Sequence, residues 1–327
     1  MRVIDGRLVR RLLTLDSCIQ AMADAMAALS SGTLEIPLRQ VLPFQDGSGQ
    51  MLVMPGVATE LSLFGAKLLG MLPGNPGRGR PAFQGVIVLL DQDTGVVRSI
   101  VDAASVTALR TAAVSGLATR LLGRPDARSH GVLGTGVQAA AHIEAIIAVR
   151  PALEETLVWG RDPVKAARLA SEAAARTGRN IRAVKERAEA AVCDIVTTVT
   201  GAAEPILDGA MLRAGCHLNV VGSHSPAMRE VDTEAVRRAE VFVDTRAGAL
   251  SEAGDLIVPI AEGAIAREHI LAEIGEVVLG RHAGRSGPAA ITLYKSLGTF
   301  AQDLFAAALV TGLAERNGEG GVADWSA

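Results

Sequence analysis

A chain of 327 residues is longer than one hydrophobic core ordinarily organises, so two domains of moderate size are expected. Apolar residues make up 49% of it and charged residues 20%, and the formal net charge of -3 gives no single-signed field to draw in nucleic acid or an anionic membrane. That balance fits a small-molecule partner, with neither nucleic acid nor membrane involved.

The three cysteines, Cys18, Cys193 and Cys216, lie far apart. They have neither the spacing of a zinc site nor the even count of a disulfide framework, so no metal is expected and a reducing cytoplasm is the expected location. The N-terminus lacks a basic segment followed by an apolar stretch, and no apolar run reaches membrane length without a charge, glycine or turn signal.

The first expected element is a helix over 14–29, where apolar residues recur at helical spacing behind Asp16 or Ser17 as cap and Ser30, Ser31 and Gly32 stop it. Short β-type runs follow at 50–55, 64–72 and 86–91, separated by clusters such as Pro73-Gly74-Asn75-Pro76-Gly77. They predict an α+β domain on a mostly antiparallel sheet. Residues 105–122 are Ala/Leu-rich, and Gly123, Arg124 and Pro125 break the pattern, which places a domain boundary near 125.

Beyond it, strands at 131–133, 156–159, 195–200, 216–221 and 241–243 alternate with helices from Val137 and over 163–177, the pattern of a parallel doubly wound sheet. A closing helix over 298–313 is long enough to leave that sheet and pack back on the first domain, with a loose tail after Arg316. The expected fold class is α/β: a Rossmann domain over 125–296, and an α+β domain of 1–124 completed by 297–327.

The most specific local motif is Gly134-Thr135-Gly136-Val137-Gln138-Ala139, which follows a short apolar strand and opens a helix. Gly134 permits a tight turn, Gly136 lets the backbone approach a pyrophosphate, and Ala139 lets the helix pack on the strand. The free N–H groups of the helix start then attract phosphates, which points to a nicotinamide dinucleotide. An acidic residue closing the second strand would hold the ribose diol of NAD(H), but here Gly160 takes that place and Arg161 is able to pair with a 2′-phosphate. NADP(H) is therefore favoured over NAD(H); the alternative is that Asp162 turns inward and Arg161 is a solvated surface charge.

Several segments in order along nearly the whole chain resemble the ornithine cyclodeaminase/μ-crystallin family. They are Gly65-Ala66-Lys67-Leu68 with Pro73-Gly74-Asn75-Pro76, the run from Thr107 through Arg110 to Ala113, the glycine loop, Asn219-Val220-Val221-Gly222-Ser223-His224, and Ser296-Leu297-Gly298 with Gln302-Asp303-Leu304. The resemblance implies a substrate-binding and dimerisation domain built from both ends of the chain, a Rossmann domain between them, and a homodimer. It also implies chemistry on a small amino or imino acid, with ornithine cyclodeaminases, alanine dehydrogenases, arginine dehydrogenases and ketimine reductases among the family's activities.

Such substrates present a carboxylate, which the planar fork of an arginine holds with two charge-assisted hydrogen bonds. Arg110, on an otherwise apolar helix, needs an anion or water to face, and is the best candidate; an interdomain salt bridge is the alternative. Arg39 matches a second substrate-binding arginine of the family. Lys67 lies in a β-type run among apolar neighbours, where local sequence alone suggests an edge-strand lysine with a solvated head. The family match assigns it to substrate binding and proton transfer, and two nearby arginines would lower its pKa toward neutrality.

Thr198 and Thr200, Val221, Gly222 and Ser223 lie at strand ends where ligands bind in α/β sheets, and with Gly298 they are candidates to border the cofactor. Asp303, inside the closing helix, reads as structural rather than catalytic. In the ornithine cyclodeaminases the corresponding motif runs Gly-Gly-Asp, and the resemblance implies that this aspartate engages the substrate amino groups. Here it is Gly222-Ser223-His224, so His224 is either a hydrogen-bonding or proton-donating group suited to a reductase, or a histidine packed at a strand end.

Three readings remain open. The first is an NAD(P)H-dependent imino acid reductase or its reverse, the second a cyclodeaminase cycling bound NAD without net redox change, and the third a nucleotide-binding protein that has lost catalysis.

Overall fold

In the computed structural model, residues 1–324 are described. From the N-terminus the chain forms β1 (Arg2–Ile4), α1 (Gly6–Leu12) and α2 (Leu15–Ser31). It continues through the strands β2 (Leu34–Glu35), β3 (Gln40–Pro43), β4 (Gln50–Ala58), β5 (Leu63–Met71), β6 (Phe83–Asp91) and β7 (Val97–Asp102) into α3 (Ala103–Leu122).

Helix α2 buries Cys18, Ile19, Met22, Ala25 and Met26, the apolar stripe its spacing predicts. Its cap is Thr14, whose hydroxyl accepts from the Ser17 N–H, rather than Asp16 or Ser17. Asp16 sits instead in the first turn, where a carboxylate is favoured by the exposed N–H groups. Gly32 ends the helix at φ 80°, a conformation that glycine adopts without penalty.

Strands β4 to β7 form an antiparallel meander, and β1 joins β7 in parallel. The inner faces of β4 and β5 alternate with less buried residues, as a one-sided sheet requires. Lys67 falls on β5, between β4 and β6, so it is not on an edge strand.

The chain then enters its second part with β8 (Ser129–Leu133), α4 (Val137–Val149), β9 (Glu155–Trp159), α5 (Pro163–Thr177), β10 (Ile181–Ala183), α6 (Arg187–Ala191), β11 (Ile195–Thr198) and β12 (His217–Val220). It goes on through α7 (Thr233–Arg238), β13 (Ala239–Val243), α8 (Arg246–Glu252), α9 (Gly254–Ala261), β14 (Ile270–Glu273), α10 (Ile274–Val278) and β15 (Ile291–Lys295). The sheet order is β10-β9-β8-β11-β12-β15-β13-β14 and every pairing is parallel. From β8 the chain moves to one side for β9 and returns to the other for β11, which makes the doubly wound Rossmann pattern with its crevice at the C-terminal ends of β8 and β11. β15 inserts between β12 and β13, a strand that no local pattern announced.

The chain closes with α11 (Phe300–Asn317) and β16 (Gly321–Val322). Helix α11 packs on α2 and on β4, β5 and β6, and the Ser99 and Thr311 hydroxyls bond at 2.8 Å. β16 pairs with β1, so the tail after Arg316 is not loose as far as Val322. The pairing gives an otherwise open edge of β1 a hydrogen-bonding neighbour.

Two compact units result: Met1–Arg110 with the segment from Gly298 onward, and Thr111–Leu297. The division falls inside α3, not at the break over 123–125. The second half of that helix is tied into the second unit, where Ser115 bonds His142 at 3.0 Å, Asn219 donates to the Thr119 hydroxyl at 3.0 Å, and Arg150 donates to the Thr119 carbonyl at 2.6 Å. Among the described residues no single helix is long and apolar enough to cross a membrane.

Candidate active site

In the first unit, five polar side chains from four separate segments meet. Lys67, on β5, is 1% exposed, and its Nζ donates to Asp303 Oδ1 at 2.8 Å. Arg110, on α3, is 5% exposed; its Nε reaches the same Oδ1 at 3.1 Å and its Nη1 donates to Gln302 Oε1 at 2.7 Å. Arg39 is half-buried and donates through Nη2 to the Gly298 carbonyl at 2.9 Å. Lys67, Arg110 and Arg39 thus converge on a single segment, 298–303.

Gly298 has φ 80°, and a side chain there would collide with the Arg110 guanidinium. Its absence of a Cβ is what lets Arg110 lie against the turn. Gly298, a candidate from the sequence to border the cofactor, also seats both arginines in the structure.

The electrostatics follow from burial and neighbours. Burial pushes the Lys67 amine down, Asp303 pushes it back up, and Arg110 and Arg39 lower it again, leaving it at about 8. Burial alone would raise the Asp303 carboxyl, but Arg110 and Lys67 overcome it and hold the group below the usual carboxylate range. A lysine with a pKa near 8 can give or take a proton near neutral pH, which an ordinary surface lysine does poorly.

In the second unit, β8 ends in the predicted glycine turn. Gly134 has φ 141°, and a Cβ there would lie 2.7 Å from the Val199 carbonyl, so the turn tolerates only glycine. Gly136 caps α4 without a side-chain hydrogen bond, and a Cβ built on it would meet nothing within 4 Å. Ala139 is fully buried against the sheet. Space beside a helix start whose N–H groups have no side-chain cap suits a pyrophosphate, and Thr135, Val137 and Gln138 frame it.

At the end of β9, Gly160 stands where an acidic residue is usual, and a side chain there would run into the Thr135 methyl. Asp162 accepts from the backbone N–H groups of Val164 at 3.0 Å and Lys165 at 3.2 Å, so its carboxylate caps α5. Arg161 is exposed beside it.

The candidates at the other strand ends are gathered by residues that sequence reasoning missed. Glu230 is fully buried and accepts from the Thr198 hydroxyl at 2.8 Å, the Thr200 N–H at 2.6 Å and hydroxyl at 2.8 Å, and the Gly222 N–H at 2.6 Å. Asp255 accepts from the Glu230 and Val231 N–H groups and from Ser223, and pairs with Lys295 at 3.0 Å. Lys295 also donates to the Ser223 carbonyl and hydroxyl at 2.7 Å. Burial pushes the Glu230 carboxyl up, Lys295 pulls it down and Asp255 pushes it up again.

Thr198 and Ser223 therefore direct their hydroxyls into this network, which fixes the loop holding Val221 and Gly222. His224, half-buried on the same loop, has its Nδ1 3.1 Å from the Gly222 carbonyl. Three carboxylates or ammonium groups buried together require one another, and no spacing rule links positions 230, 255 and 295.

Comparison with known proteins finds relatives along nearly the whole chain. The family model described as ornithine cyclodeaminase/mu-crystallin matches residues 4–318. A Bacillus cereus protein named delta(1)-pyrroline-2-carboxylate reductase is 34% identical over 309 residues, 94% of each chain. The mouse protein named ketimine reductase mu-crystallin is 35% identical over 290 residues, 89% of this chain and 88% of that one. The Thermococcus litoralis delta(1)-pyrroline-2-carboxylate reductase, solved with NADH and L-proline, superposes with a TM-score of 0.96 at 33% identity, covering 99% of this chain and 100% of that one. With its fold, its glycine turn and its buried cation cluster accounted for, the chain belongs to the ornithine cyclodeaminase/mu-crystallin family.

Proposed function

We propose that this protein is an NAD(P)H-dependent reductase of small cyclic α-imino acids, able to run in reverse as an amino acid dehydrogenase. The observation that carries the reading is Lys67, a buried amine poised near pH 8 between two arginines and Asp303. Reactions on imino acids need a carboxylate anchor and a proton at nitrogen, and this cluster offers both. Arg110 bonds within the protein through Nε and Nη1, which leaves Nη2 for the substrate carboxylate, with Arg39 as the second anchor. Lys67, in its ammonium form, hydrogen-bonds the ring nitrogen and supplies its proton, which makes the C=N carbon a better hydride acceptor. A reduced nicotinamide dinucleotide whose pyrophosphate the Gly134–Gly136 turn would hold would supply the hydride; what the chain adds is orientation and a low-dielectric setting.

The first unit is then the substrate-binding unit and the second the dinucleotide unit. For the cofactor, the commitment of Asp162 to the α5 cap and the exposed Arg161 support NADP(H) over NAD(H). A homodimer built through the first unit is supported by the apolar side chains that its 38–51 segment exposes, Leu38, Val41, Leu42, Phe44 and Met51. Three buried, unpaired thiols are at home in a cytoplasmic setting. The carboxylate of the cyclodeaminase motif is replaced by His224, which supports the reductase over the lyase. The test is stoichiometric: one NAD(P)H consumed for each cyclic imino acid converted to its amino acid supports the reading, and no consumption with any cyclic imino acid overturns it.

A further inference from the structure

We propose that Asp303 is a positioning residue of the reaction: one of its oxygens fixes Lys67 and Arg110 in a single constellation and holds Lys67 in its charged form. The proposal rests on the reading that Lys67 is the proton donor, and extends it to a residue on a different element.

The geometry is specific. Oδ1 of Asp303 takes both cations, Lys67 at 2.8 Å and Arg110 at 3.1 Å, with all three side chains closed to solvent. Oδ2 is buried and without a hydrogen-bond partner among the described residues. A fold that needed Asp303 only for stability would satisfy both oxygens, because an unmet buried acceptor costs free energy. The charged groups that act on Lys67 are Asp303 on α11, Arg110 on α3 and Arg39 in the 36–39 segment. Its partners in register on the flanking strands, Met54 on β4 and Ile87 on β6, are apolar. Asp303 is thus the one anion set against two cations and full burial. Removing its charge leaves every remaining influence on Lys67 pointing toward the neutral amine.

The experiment is the pH profile of kcat/KM for imino acid reduction in the wild type and in Asp303→Asn, Asp303→Glu and Lys67→Met, with dinucleotide affinity measured alongside by fluorescence. In the wild type the rate falls as pH rises through about 8. In Asp303→Asn that limb moves about one to three units toward lower pH, and Asp303→Glu, which restores the charge, brings it back; dinucleotide affinity changes in neither. Loss of the limb in Lys67→Met with an unmoved limb in Asp303→Asn overturns the proposal and leaves Lys67 as the donor. A limb near pH 8 that survives in Lys67→Met overturns the Lys67 reading itself, and the proposal with it. If Asp303→Asn does not fold, the Lys67→Met/Arg110→Met/Asp303→Asn protein, which removes all three charges, decides: a folded triple variant supports the constellation, and an unfolded one overturns it.

Discussion

Lys67 and Asp303 form a 2.8 Å ion pair across 236 positions of sequence, one on the middle of a sheet and the other on the last helix. Because both side chains are sealed from water, the pair is strong only while complete; deleting one member leaves a buried charge with a large desolvation penalty. The same burial brings Lys67 to about 8, and under the proposed role of Lys67 that ties proton transfer to the packing of α11 on the sheet.

Lys67→Ala is expected to lower kcat/KM for reduction by roughly 10²- to 10⁴-fold, the usual contribution of a positioned acid. Dinucleotide affinity, assigned to the second unit, should stay within about twofold. Steady-state kinetics beside a fluorescence titration separate the two; equal losses in both would place Lys67 outside the substrate chemistry.

Arg110→Ala removes the proposed substrate anchor and also strips Asp303 of one of its two cations. It should therefore raise KM and cost about 3–5 kcal/mol of stability, as breaking a buried ion pair does. Arg39 is only half-buried and bonds a carbonyl, so Arg39→Ala should raise KM by about tenfold while leaving the urea midpoint almost unchanged. A stability loss for Arg39→Ala equal to that for Arg110→Ala would refute this division of labour.

Arg161→Ala should weaken NADPH binding by about tenfold or more and leave NADH binding alone, since only the 2′-phosphate distinguishes the two. Isothermal titration of both nucleotides against both proteins measures this directly. Parallel losses, or none, would mean that Arg161 is a solvated surface charge.

Three histidines in the second unit, His130, His142 and His217, are fully buried, and burial lowers them to about 3, 4 and 3. The folded chain keeps these imidazoles neutral while the unfolded chain protonates them near their ordinary 6.5, so below that pH the unfolded state binds more protons and stability falls with pH. The loss reaches up to about 4 kcal/mol per pH unit once all three titrate in the unfolded state, on the order of three single-proton slopes. Urea unfolding between pH 7.5 and 5 should show it beginning near 6.5; a flat profile would require the rings to be protonated in the fold.

Helix α5 was legible to the residue, because Asp162, Pro163 and Gly178 mark its ends by local chemistry. The glycine turn was legible for the same reason: Gly134 needs its positive φ whatever lies beyond it. β15 was not, since the run Ile291–Lys295 has no period that separates it from other short apolar stretches, and its place between β12 and β13 is decided by the sheet. Asp303 read as structural because it sits in a helix, yet a carboxylate within an apolar helix poses the same question as Arg110 in α3, and each answers the other. Glu230, Asp255 and Lys295 were invisible because each is tolerable only with the others present, and their meeting brings together a loop, the first turn of α9 and the end of β15.

The central claim is that hydride from added NAD(P)H ends on the imino acid, and one measurement bears on it most directly. The protein is given a five-membered cyclic α-imino acid with NADPH or NADH, and in parallel L-ornithine with NAD, while nucleotide absorbance, amino acid product and ammonia are followed together. The account predicts consumption of reduced nucleotide equal to the proline formed from the imino acid, and little or no ammonia from ornithine. Efficient ammonia release from ornithine, with proline formed and no net change in nucleotide absorbance, would contradict it and establish a cyclodeaminase despite the histidine at 224.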